Sequence, residues 1–139
     1  MNTDNLQRAI YTALTTNLEI IASGASVYAD TPQSDDSQLP TDFPYITLGQ
    51  DRAASWDTKT DFGSQTTCQI DVWTRENNFL QCKQIASEVW AALHHQPLTI
   101  ADANHTMTIV QNMAFTNDPD GLTRHGIIQA LVSFTNIGE

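Results

Sequence analysis

Positive charge is what this chain has least of. Its 139 residues carry 6 Lys and Arg against 16 Asp and Glu, a formal net charge of -10. The cations stand singly, as at Arg8, Lys59 and Arg124. Contact with phosphate backbones draws on clustered Lys and Arg that displace counterions, so specific nucleic-acid binding is not expected, and neither is docking on an anionic membrane. The acidic balance favours solubility at high local concentration. Long apolar runs are missing too: none approaches the roughly 20 residues of a membrane-spanning helix. The opening MNTDNLQRAI places an acid where a secretory peptide carries positive charge, with no apolar stretch behind it, so no export signal is expected. Only two cysteines occur, Cys68 and Cys82. Without export they read as buried free thiols in a reducing compartment rather than a disulfide. The sequon at residues 104–106 has meaning only in a secreted chain.

Chemical signatures are equally scarce. The chain has no glycine-rich phosphate loop, no serine in a nucleophile elbow and no cysteine pairs spaced for zinc. His94 and His95 are adjacent, so their rings diverge at a helix end, where a cation suits the dipole better than a metal suits two ligands. Asp118 and Asp120 lack the later oxygen ligands of a calcium loop and read as turn residues. His105 and His125 lie on strands that could pair. Cys82 stands beside Lys83, which can lower a thiol pKa, but it also sits on an apolar stripe. Measured against what an active site requires, the chain reads as no enzyme, with no catalytic, metal or cofactor-binding residue and no cofactor.

What is present is an ordinary apolar fraction of 40% and enough length for one domain, residues 1–139, with a real core. Leu6, Ile10, Ala13 and Leu14 share a face at helical spacing, predicting a helix over residues 4–16 capped by Thr3 or Asp4. Residues 27–30 read as a short strand. Residues 31–42, TPQSDDSQLPTD, read as a mobile polar loop, and Pro44 marks the start of a strand over residues 45–48. Residues 66–74 alternate clearly, with Cys68, Ile70 and Val72 on the core face and Gln69, Asp71 and Trp73 on the other. After a turn at residues 75–78, where Asn77 or Asn78 can cap, a main helix is predicted over residues 79–95. Its stripe is Phe79, Cys82, Ala86, Val89, Trp90 and Leu93, with Ile85 at the flank, and Pro97 forbids its continuation. Met107, Ile109, Met113 and Phe115 are assigned to the core face of one strand. Ile128, Ala130, Val132 and Phe134 belong to another, separated from it by the turn Asp118-Pro119-Asp120-Gly121. Ile127 and Leu131 make the second face of the last strand apolar as well, which suits a central position. Trp90 and Phe134 are expected to be buried. The order predicts an α+β fold, a mainly antiparallel sheet with two helices packed on one face.

One stretch resists this reading. Residues 51–64 show no period, yet carry Trp56 and Phe62 among Asp51, Asp57, Lys59 and Asp61. Loops of that length are functional or disordered. Read as a mobile arm, it supplies candidate interface residues, Arg52, Trp56, Lys59 and Phe62; the alternative is a strand pair with a floppy hairpin tip whose aromatics fold back on their own sheet.

The elements LQRAIYTALT, VYADTP, FPYITLG, CQIDVWTR, a helix and DPDGLTRHGIIQALVSF, in that order, resemble the tail-completion or tail-terminator proteins of tailed bacteriophages and gene transfer agents. The matching positions are residues 28–32, 44–49, 72–74 and 118–125. The chain departs from the pattern in VYAD, where the family tends to put the acid next to the tyrosine, and in an acidic insertion at residues 34–39. The resemblance implies an α+β fold and a self-assembled ring of six subunits at the head-proximal end of the tail tube. Such a ring ends tube polymerisation, contacts the tail tube protein and the head connector or stopper, and lets DNA pass through its centre. It implies location in the virion, and in the host cytoplasm during assembly. Two alternatives stay open: another neck ring such as a head-completion protein, and a cytoplasmic α+β ligand-binding or enzymatic domain.

Overall fold

A computed structural model describes residues 3–28, 43–55, 63–76, 78–101, 103–119 and 121–136. The chain runs α1 (Thr3–Thr15), α2 (Leu18–Ala22), β1 (Ser26–Tyr28), β2 (Tyr45–Ser55), β3 (Gly63–Arg75), α3 (Leu80–Leu93), β4 (Ala103–Asn117) and β5 (Thr123–Asn136). The strands form one sheet in the order β1-β2-β3-β5-β4. Among the described residues β1 and β2 pair parallel, and the other ladders are antiparallel. The fold class is the expected α+β.

Helix α1 forms where the spacing places it, with Leu6, Ile10 and Leu14 buried and Asp4 in the first turn, where a carboxylate favours the helix dipole. The sequence reading had two helices; the structure adds α2. Asn17 caps this short helix by accepting from the Glu19 and Ile20 amides, and Ile20 alone of its residues is buried. Leu18 and Ile21 face water, so a single buried residue gave no period to read. All three helices contribute to one core with the inner face of the sheet: Cys68, Ile70 and Val72 of β3 and Ile128, Ala130, Val132 and Phe134 of β5. Each of the β5 residues is fully buried, worth about 1.5–3 kcal/mol for a large side chain. The sheet places β5 between β3 and β4, the central position its two apolar faces suggested. The turn before β5 is as expected: Gly121 takes φ 72°, which glycine adopts without penalty, and its amide bonds the Asp118 carbonyl at 3.0 Å.

Two registers differ from the sequence reading. In α3 the buried residues are Cys82, Ile85, Ala86, Val89 and Leu93, while Trp90 is 43% exposed. At about 100° per residue, the stripe centres near Cys82 and Leu93, Ile85 falls inside it, and Trp90 lies at its margin. Trp90 stacks on His94 instead, with ring centroids 4.7 Å apart. In β4, bulges between His105 and Met107 and between Val110 and Asn112 break the ladder. Each inserted residue flips the facing of the residues after it. Thr108 and Val110, opposite Val132 and Ala130, are buried, and Met107 is 46% exposed. Met113 returns to the core side opposite Ile128 but is 38% exposed near the end of the sheet.

The chemistry-bearing residues largely serve the fold. Cys68 and Cys82 are free, buried thiols, and burial raises the pKa of both, so Cys82 packs rather than reacts. His94 accepts the Val110 amide at Nδ1, 3.0 Å away. His105 and His125 do not pair: His105 lies opposite Phe134, and His125 opposite Trp73 and Thr116.

Candidate functional site

The candidate site is the β2–β3 hairpin. The sequence reading ended β2 at residue 48 and began β3 at residue 66. The structure carries the pairing outward to Ser55↔Ser64. Ser64 and Thr66 are fully buried and continue the inner face of β3, while residues 51–54 are exposed along β2. The base of the supposed loose arm is therefore regular sheet. Of the four candidate interface residues, Arg52 is exposed on β2, opposite Thr67. Trp56, Lys59 and Phe62 lie outside the described residues, as does the loop assigned to residues 31–42.

The β2–β3 ladder shifts register between Leu48 and Asp51, with Gly49 inside the shift, while β3 stays paired to β5 without a break from Gly63 to Arg75. A Cβ at this position would come 2.7 Å from Asp71 Oδ2, closer than real contacts allow. The glycine lets the bulged backbone pass over a buried carboxylate. Asp71 is 6% exposed and meets His125 Nε2 at 2.8 Å; the Gln69 amide donates to it at 3.0 Å.

From there a row of rings crosses the helix-free face. His125 stacks on Trp73 with centroids 3.8 Å apart and planes 10° from parallel. Trp73 donates its indole N–H to Thr47 Oγ1 at 3.1 Å and lies 6.1 Å from Tyr45. Tyr45 is flanked by Phe43 and Tyr28, and the Arg75 guanidinium lies 4.5 Å above Phe43, a cation–π contact. The row ties β1, β2, β3 and β5 together on this face. No local sequence pattern signals this network. The alternation of β3 did place Asp71 and Trp73 on the face away from the core, but not their burial.

Asp51 lies opposite Cys68 in the ladder. Asp51 is exposed as a residue, yet its carboxyl is partly withdrawn from water, and this raises its pKa. A groove of about 620 Å³ between α1 and β1, lined by Asp4, Arg8, Tyr11 and Tyr28 among others, opens beside the sheet. Among the described residues it brings no thiol or histidine together with Asp4. Among the described residues no three His, Cys, Asp or Glu side chains group to hold a metal, and no helix is long and apolar enough to cross a membrane.

The described part of the hairpin thus lies within the sheet, exposed along β2 at residues 51–54 and buried at Ser64 and Thr66 of β3, where it pairs with β5. The model of the family described as tail completion protein gp17 matches residues 8–133. This chain belongs to that family. Tail completion is a structural role rather than an enzymatic one. The tail completion protein gp17 of Bacillus phage SPP1 is 26% identical over 132 residues, spanning 93% of this chain and 94% of that one. A solved structure of the SPP1 gp17 protein aligns with 28% identity and a TM-score of 0.50, covering 96% of this chain and 92% of the other. A chain from the virion of a native gene transfer agent particle superposes with a TM-score of 0.86 at 21% identity, covering 97% and 98%. That last likeness bears on the fold of this tail completion protein alone.

Proposed function

We propose that this tail completion protein is a virion component that forms a ring at the head-proximal end of the tail tube. There it stops tube polymerisation and presents a surface to the head connector. The observation that carries this reading is the match of residues 8–133 to the tail completion family. The exposed residues 51–54 of β2 support it from the side of the molecule: a ring requires a heterologous contact, a different patch on each flank of the subunit, and an exposed strand suits one half of such a contact. Partners are other copies of the chain, the tail tube protein and the connector. The ring number is taken as six on the family resemblance.

Within this reading, residues 51–64 reach a neighbouring subunit, with Trp56 as anchor, supported by Arg52, Lys59 and Phe62. Tryptophan is enriched among interface anchors, and truncating one costs about 2 kcal/mol or more of binding. Trp56→Ala tests the assignment. The isolated subunit is expected to unfold as wild type does, while assembly fails and tails emerge with uncontrolled length or without heads. Unfolding of the isolated subunit would place Trp56 in the core, and normal assembly with normal tail length would remove its role as anchor.

A further inference from the structure

The sheet has two unlike edges, and among the described residues neither is fully covered by another strand. On one side β1 pairs only with residues 45–47 of β2, so the outer edge of β2 over residues 51–55 has no strand beside it among the described residues. On the other side β4 is the terminal strand. Its outer edge is occupied near the middle, where the Thr108 carbonyl accepts the His95 amide at 2.8 Å and the Val110 amide donates to His94. Beyond that clasp, residues 111–117 continue as strand, with only β5 paired to them among the described residues. Residues 111–114, 116 and 117 are exposed.

Free edges of this kind template pairing with other chains, and proteins normally guard them with charge, proline, bulges or short length. Here β4 is 15 residues long and contains no Lys, Arg, Asp, Glu or Pro. Its second bulge lies between Val110 and Asn112, and from Asn112 to Asn117 the register against β5 is unbroken. The bulge therefore guards none of that stretch. Electrostatics points the same way. Two copies of a chain with net charge -10 repel wherever their acids meet, and association is easiest where each side is neutral. Residues 111–117 carry no charge, and in residues 51–55 Asp51 is offset by Arg52.

We propose that residues 112–117 of β4 pair, edge to edge, with residues 51–55 of β2 in a second copy of this chain. The inference rests on the ring reading and names the contact that joins its subunits. Because the two edges lie on opposite sides of the subunit, the contact is head-to-tail, the kind that closes into a ring when the rotation permits. It leaves the sheet continuous from one subunit to the next.

Cysteine cross-linking in assembled tails tests this. Ala54 and Ala114 are both exposed, one on each edge, and the native Cys68 and Cys82 are buried. Tails carrying Ala54→Cys together with Ala114→Cys, treated with a short bismaleimide, should give a ladder of linked multimers on a denaturing gel, while either single variant stays monomeric. Dimers from Ala114→Cys alone would mean that β4 pairs with β4, and would overturn the proposal. If tails of normal length contain the doubly substituted chain and yield no multimers, edge pairing is wrong while the ring reading stands. If the wild-type chain is itself missing from purified tails, the ring reading falls and the edge contact with it.

Discussion

Replacing Gly49 by alanine tests whether the hairpin is seated on the Asp71 network. The added Cβ would lie 2.7 Å from Asp71 Oδ2 and 3.3 Å from the Gln69 carbonyl. The carboxylate is the part that can move, and moving it weakens its 2.8 Å contact with His125. A hydrogen bond to a charged group contributes about 1.5–3 kcal/mol. Against that, alanine lowers the entropy of the unfolded chain relative to glycine, a gain of about 0.4–1 kcal/mol. Gly49 is not among the glycines with positive φ, so alanine meets no backbone penalty. The net expectation is a loss of about 1–2 kcal/mol, read as a lower urea midpoint with an unchanged slope. In an Asp71→Ala background the obstacle is gone, and the same substitution should be neutral or stabilising by about 0.5 kcal/mol. Equal losses in both backgrounds would refute the reasoning, because the Gln69 carbonyl rather than the carboxylate would then be what Gly49 accommodates.

The remaining predictions concern the core and pH. Ile85→Ala should cost about 2–5 kcal/mol, the usual range for emptying a buried aliphatic site, and Trp90→Ala less, because Trp90 is 43% exposed. Urea denaturation showing the opposite order would contradict the register of α3. Burial lowers the pKa of His105. Its Nδ1 accepts the Leu98 amide and its Nε2 lies 2.7 Å from Thr108 Oγ1. The unfolded chain therefore takes up the proton first, so this contribution is intact above about pH 6.5 and is lost as pH falls from there towards the lowered folded value. His105→Gln should flatten the decline in stability between about pH 7 and 5; an unchanged slope would assign that decline to other groups.

The parts of the fold legible in the sequence are those where one element buries one face. The stripe of α1, the alternation of β3 and β5, and the turn at Gly121 each follow a single period or a single backbone demand. The misread parts are those where tertiary context sets the facing. Trp90 is large and apolar, yet sits about 80° from the centre of its helix stripe, and its nearest ring partner is His94. The bulges in β4 divide one apparent alternation into two opposite ones. Residues 51–54 show no alternation because all of them are exposed, so this part of β2 pairs by backbone alone and side-chain pattern cannot reveal it. The Asp71–His125–Trp73 network joins residues more than 50 positions apart and has no local signature.

The central claim is that this tail completion protein sets the end of the tail, and the most direct measurement is the distribution of tail lengths by electron microscopy. Particles should be produced with the gene deleted, and again with the wild-type chain restored. The account predicts a broad distribution with overlong tails and unattached heads on deletion, and a single narrow length with joined heads on restoration. Tails of normal length, joined to heads, in the complete absence of the chain would contradict it.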